Sequence, residues 1–295
     1  MTVATKESPF LSYYETLEKK ITASVLEFGA KTKLRDACGY ALTNGGKRFR
    51  PLIVMFIAEA LGKGLDVYPA ALSVEFFHTA SLIADDLPCM DNDDERRDKP
   101  SLHKVYGESI ALLASYALIT AAFEKIHQNA DLMKQEGSIF EDLSGQACLV
   151  ALQSAASCAG ILGATGGQFF DLFPPNQTLE MVKKVIYQKT VTLFEVAFVF
   201  GWVFGGGEMG RLDLVKQAAY HFGMAFQTAD DLNDLLQDEQ KEKEINIARL
   251  LGKEGAFSYF NEEMDNLQKT LKELNLFTPS FEKMFQILMG YALCS

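Results

Sequence analysis

Between Asp85 and Glu95, in the stretch "HTASLIADDLPCMDNDDERRDKPSLHK" (78–104), six carboxylates crowd together, and Arg96 and Arg97 follow at once. Two like charges about 6 Å apart repel by roughly 3 kcal/mol at an effective dielectric near 20. Pro88 forces its predecessor out of the helical region, so the helix arriving from Glu75 ends near Asp86. That leaves Asp85 and Asp86 at a helix C-terminus, where the macrodipole already favours a cation, and Asp91 can return toward them from the loop. Oxygen ligands of this kind suit Mg²⁺, which keeps several waters and is shared with substrate phosphates. A solitary acidic run is as often a solvated loop.

A second acidic group changes that balance. "FQTADDLNDLLQD" carries Asp230, Asp231 and Asp234, with Asp238 beyond. On a helix Asp230 and Asp234 are four apart and project from one face, a costly pairing unless something positive lies between them. Carboxylate sets on facing helices are a natural way to bind metal in a bundle. Cations complete the arrangement. Lys47, Arg48 and Arg50 follow the Asn44-Gly45-Gly46 turn and precede a helix beginning at Pro51. Helix N-termini and glycine-freed amides attract phosphate. His78 lies seven residues before Asp85, nearly on its helix face. Clustered Mg²⁺ ligands and several fixed cations are what a diphosphate substrate requires.

The elements that must position these residues are helices. Alternating strand patterns are scarce. "PLIVMFIAEALG" opens on Pro51 and closes on Gly62, while "SIALLASYALITAAFEKI" and "KTVTLFEVAFVFGWVF" are apolar nearly all round, as helices inside a bundle are. Loops fall at 43–51, 86–93, 171–177 and 205–210. The expectation is one all-α domain over 1–295, of about ten helices around a central cavity. Leu143–Phe170 carries no charged side chain, but Gln146, Gln153 and Gln168 interrupt it, so a helix packed inside the bundle is expected, not a membrane span. A net charge of −11 argues against nucleic acid as a partner. Five scattered cysteines with no C-x-x-C pair suit a reducing compartment, and "MTVATKESPF" lacks the apolar core of a signal peptide, so a cytoplasmic location is expected.

Taken in order, "GGKRFRP", "HTASLIADDLPCMDNDDERR", "GGQFFDL" (166–172), "QKT" (188–190) and "FQTADDLND" (226–234) resemble the motifs of the trans, or head-to-tail, isoprenyl diphosphate synthases, over roughly residues 35–255. The resemblance implies the isoprenoid synthase fold, a homodimer, and about three Mg²⁺ per site held by Asp85, Asp86 and Asp91 from one side and Asp230, Asp231 and Asp234 from the other. It assigns Arg96 to the allylic diphosphate, with Lys189 neutralising it. Lys47, Arg50, His78 and Arg97 go to isopentenyl diphosphate, Gln168 to substrate binding, and Thr190 and Gln227 to the surroundings of the reacting carbons.

Three positions depart from that pattern. Ala84 stands where the family has His, Tyr116 where it commonly has Asp, and the segment after Asp238 is contracted. Glu244 takes the place of a family lysine, leaving Lys243 or Lys241 to serve instead. The family's pocket floor lies four and five residues before the first aspartate, here the small Ser81 and Ala80, with Phe77 and Phe76 about 12–14 Å down the helix. An open upper level implies growth to geranylgeranyl diphosphate. Farnesyl diphosphate is the alternative product, and a class I terpene cyclase or a non-catalytic subunit are the alternative roles. Lys47, Arg50 and His78 speak against the cyclase, and the intactness of both aspartate sets speaks against the subunit.

Overall fold

The computed structural model describes residues 9–135, 138–237 and 246–293. The chain folds into thirteen α-helices among these residues: α1 (Pro9–Ser24), α2 (Lys33–Leu42), α3 (Phe49–Leu61), α4 (Tyr68–Asp85), α5 (Leu102–Tyr106), α6 (Glu108–Gln135), α7 (Ser138–Ala159), α8 (Ala164–Leu172), α9 (Leu179–Ile186), α10 (Thr192–Phe204), α11 (Leu212–Gln237), α12 (Ile247–Glu273) and α13 (Pro279–Leu293). The one sheet among the described residues is a hairpin of two-residue strands, Glu95–Arg96 paired antiparallel with Lys99–Pro100.

α10 is the axis of the bundle. Every residue of it except Glu195 is buried, so its all-round apolar composition meets neighbours on every side, chiefly α3, α7 and α11. α3 begins two residues before Pro51 and ends against Gly62, whose φ of +65° is the left-handed cap that glycine adopts without a Cβ penalty.

α4 and α6 pack face to face, and small polar residues lace them together. Ser73 Oγ donates to Ala122 O at 2.8 Å, Ser115 Oγ donates to Ala80 O at 2.9 Å, and Asn129 Oδ1 accepts from the Ala70 amide at 2.8 Å. The last of these satisfies an orphan donor in the first turn of α4.

One expectation fails here. α6 and the 143–170 run are not enclosed. Of the most apolar eighteen residues in the Phe140–Leu172 stretch only 33% are buried, and 44% in α6. Leu113 and Tyr116 on α6, Leu149 on α7, and Ile161 and Leu162 in the α7–α8 turn all stand exposed. Both helices are long and apolar enough to cross a membrane by length and composition alone. They lie at the edge of the bundle, where, among the described residues, α7 packs on α6 and α10 with one face and leaves the other exposed.

Candidate active site

α4 stops where Pro88 requires it to. The Asp86 amide donates to Leu82 O at 3.0 Å as the last helical bond, and the Asp91 amide donates back to Asp85 O at 2.9 Å, returning the loop as expected. Burial, opposed by Lys189 and reinforced by the charge of Asp91, pushes the Asp85 carboxyl up to about 6. Lys189 Nζ lies 3.9 Å from Asp91 Oδ2 and pairs closely with Asp171. Burial works against this ammonium, but Asp171, Asp85 and Asp91 together hold its pKa above the ordinary lysine value. Gln168 Nε2 donates to Asp91 Oδ1 at 3.3 Å, while its Oε1 is buried with no donor facing it. Asp86 turns elsewhere: its Oδ1 accepts from Arg96 Nε at 2.9 Å and from Arg96 Nη2, which also reaches Asp93 Oδ2 at 2.9 Å.

Lys189 and Thr190 sit in one turn of π-helix, Tyr187–Val191, joining α9 to α10. Such turns insert a residue into the helical ladder and redirect side chains. Here Lys189 faces the Asp91 side, while Thr190 Oγ1 donates to Gln227 Oε1 on α11 at 2.9 Å, and Gln227 Nε2 donates to Asp231 Oδ1 at 2.9 Å. A Cβ on Gly167 would overlap the Lys189 backbone, and one on Gly223 would overlap Val191. The glycines of "GGQFFDL" and "FGMAF" therefore bring α8 and α11 against this turn. One turn thus stands between the two acidic sets.

On α11, Asp230 Oδ1 lies 3.7 Å from Lys47 Nζ. Burial raises the Asp230 pKa, against Lys47 and a hydrogen bond from Tyr291. Asp231 is also pushed up by burial, to about 6, against hydrogen bonds from Gln227 and the Ile247 amide. The Ile247 bond, 2.9 Å to Asp231 Oδ2, pins the start of α12. Asp234 is exposed, and its charge acts on Lys47.

The cations of "GGKRFRP" divide. Arg48, at φ +52°, turns inward to Glu75, Glu18 and Leu42 O, a buried structural ion pair. Arg50 stacks on the Phe194 ring at 4.1 Å, with Nη1 3.4 Å from His78 Nε2. Burial brings Arg50 down to about 10, which leaves it charged at neutral pH. Burial, then Arg50 and Arg97, hold His78 well below its ordinary value, so the imidazole is neutral, with Nδ1 unpartnered. Arg97 donates to Gly45 O, its guanidinium lying where a Cβ on Gly46 would be.

Further down α4, Ala80 is buried and the Ser81 hydroxyl donates to His78 O at 2.9 Å. Phe77 meets Phe123 of α6 edge-on at 5.2 Å and Phe76 packs on Phe28 at 5.6 Å. Lys241 and Lys243 lie outside the described residues. Reasoning from sequence missed Asp171, Phe123 and Tyr291. Asp171 alone carried a signal, three residues after Gln168 inside a motif already singled out.

Among the described residues no three acidic, His or Cys side chains converge closely enough to hold an ion alone. The donors nevertheless fit Mg²⁺. Asp85, Asp91 and Asp230 are hard oxygen ligands, burial raises the pKa of Asp85 and Asp230, and Gln168 Oε1 is an acceptor awaiting a donor. A ligand bringing further oxygens, such as a diphosphate, completes such a set.

An all-helical bundle with this pair of acidic sets defines the isoprenoid synthase class. The pattern of the polyprenyl synthetase family matches residues 31–248. The trans-prenyltransferase of African swine fever virus (isolate Pig/Kenya/KEN-50/1950) is 31% identical over 96% of this chain and 84% of its own. Farnesyl diphosphate synthase of Bacillus subtilis is 34% identical over 77% of this chain and 75% of its own. The structure of an FPP/GFPP synthase from Zymomonas mobilis superposes with a TM-score of 0.80 at 28% identity, covering 96% of this chain and 98% of the other. The chain belongs to the polyprenyl synthetase family, the family of the trans-prenyltransferases.

Proposed function

We propose that the protein condenses isopentenyl diphosphate with dimethylallyl, geranyl and farnesyl diphosphates, and that its product is geranylgeranyl diphosphate. One observation carries the reading. The Tyr187–Val191 turn aims Lys189 at Asp91 and Asp171, and Thr190 through Gln227 at Asp231. A diphosphate bridging the acidic sets would meet Lys189, while Lys47, Arg50 and neutral His78 offer a second anion a place beside Asp230. Mg²⁺, held there by Asp85, Asp91, Asp230 and Asp234 with Asp86 and Asp231 behind them, would neutralise the departing diphosphate.

The rest falls to the chain. Lys189 stabilises charge developing on the leaving oxygen as the allylic C–O bond breaks. The pair of electrons leaves with the diphosphate, the isopentenyl double bond attacks the allylic carbon, and the proton then lost goes to the released diphosphate. The Phe194 and Phe226 rings, on which Arg50 and Lys47 lie, are apolar surroundings of the kind that keep water from a carbocation.

Product length rests on α4. The side chains of Ala80 and Ser81 are small and would put no stop at the upper level, while the Phe77–Phe123 pair would stand across the lower one. Behind Phe76, Phe28 lines a cleft of about 480 Å³ together with Cys38, Ala117 and Ala121. A homodimer covering the exposed faces of α6 and α7, in the cytoplasm, belongs to the same proposal.

The test is incubation with radiolabelled isopentenyl diphosphate and each of the three allylic primers in Mg²⁺, followed by product sizing. A C20 product is expected, and no incorporation from any primer would sink the reading. Ala80→Tyr should shift the main product from C20 to C15; an unchanged product distribution would remove α4 as the floor.

A further inference from the structure

Tyr291, near the end of α13, touches both halves of the candidate site. Lys47 Nζ lies 3.3 Å from the centroid of its ring, and the Tyr291 hydroxyl is near enough to Asp230 to favour its ionised carboxylate. The same ammonium is 3.7 Å from Asp230 Oδ1. One side chain therefore holds a cation of the "GGKRFRP" turn and the first aspartate of the second acidic set.

The helix that carries it is well fixed. Phe281 packs on Phe56 at 6.0 Å and Phe198 at 6.3 Å, while Met284, Leu288 and Ala292 are buried in the core. Asn233 Nδ2, on the α11 turn between Asp230 and Asp234, donates to Tyr291 O at 3.0 Å. Side chain and backbone of Tyr291 are thus tied to the same turn of α11.

A lysine ammonium on its four-carbon stem is a mobile point charge, and the face of an aromatic ring is one of the few surfaces that confines it without neutralising it. We propose that Tyr291 is a positioning residue that couples Lys47 to the second acidic set. Its ring seats the Lys47 ammonium for an incoming diphosphate, and its hydroxyl holds Asp230 in place for the metal. This deepens the prenyltransferase reading and takes the diphosphate site from it. The C-terminal helix becomes part of the substrate site.

The test is a double-mutant cycle of Lys47→Ala and Tyr291→Leu, with Tyr291→Phe as the conservative variant. It is read by calorimetric titration of inorganic pyrophosphate in Mg²⁺ and by steady-state kinetics. Leucine keeps the bulk that packs α13 but removes ring face and hydroxyl, and circular dichroism checks that each variant is folded. Tyr291→Leu should weaken pyrophosphate about fivefold and raise the KM for isopentenyl diphosphate by a similar factor, leaving kcat within twofold. In the Lys47→Ala background the ring's share of that cost should vanish, leaving only the Mg²⁺-dependent cost that Tyr291→Phe shows by itself. Tyr291→Phe should bind pyrophosphate within twofold of the wild type and need more Mg²⁺ for half-maximal binding. Losses that add fully across the two sites, or Tyr291→Leu affinity equal to wild type, would overturn the coupling while turnover of isopentenyl diphosphate kept the functional reading intact. Coupling in a wild type that incorporates no isopentenyl diphosphate would retain the clamp and remove the prenyltransferase reading.

Discussion

Asp85 is costly to ionise where it stands, and that cost is measurable. Its folded-state pKa of about 6 lies above the ordinary 3.8, so the stability tied to its protonation is fully present below pH 3.8 and lost as pH rises through 6. Two units correspond to about 3 kcal/mol, and partial exposure reduces this to about 1.5 kcal/mol. Asp85→Asn removes the titration. In EDTA at pH 7.5 the variant should melt ~3–5 °C above the wild type, the gap closing as pH falls toward 4. Millimolar Mg²⁺ with pyrophosphate should raise the wild-type melting temperature more than that of the variant. Equal responses would argue that Asp85 holds no ion. At this scale the sequence announced which residues carry charge but not where the charges aim. Lys47, Arg48 and Arg50 read alike, yet the left-handed backbone at Arg48 turns one of them into the core, onto Glu75. Tyr291 carried no local signal at all, because its partners are more than fifty residues away in sequence.

Helix ends were legible wherever proline or glycine set them. Pro88 stops α4 within a residue of Asp86, and Gly62 caps α3. The π turn was not legible, since its extra residue follows from how α8 and α11 press on Tyr187–Val191 and not from any local preference of "YQKTV". Gly167 and Gly223 let those helices approach. Gly167→Ala places a methyl group in the Lys189 backbone, so the turn must move. Lys189 would then lose its register on Asp91 and Asp171, and kcat should fall at least tenfold, a loss of about 1.4 kcal/mol in transition-state stabilisation. Measured kcat within twofold of the wild type would mean that the turn does not set the register of Lys189.

The whole molecule corrects the one element-level expectation that failed. Apolar composition predicted enclosure for α6 and for 143–170, but composition reports what a face requires, not which chain supplies it. Leu113 is 52% exposed and Leu149 69%, with Ile161 at 82% and Leu162 at 79%. Exposed apolar surface of this extent marks an interaction face. A second copy is the cover proposed above. The double substitution Leu113→Glu with Leu149→Glu should convert a dimer of about 65 kDa into a monomer by light scattering, since four buried unpaired carboxylates, two from each copy, are not tolerated at the interface. A monomeric wild type would remove this part of the proposal. The sequence by itself determined that the chain is helical, where several helices end, and that two aspartate sets and a group of cations exist, because periodicity, proline and charge are properties of short segments. Only the tertiary structure decided that one π turn separates those sets, that Arg48 is structural, and that Tyr291 reaches Lys47. Each of these depends on backbones brought together from distant parts of the chain, and long-range packing leaves no mark on any single stretch of residues.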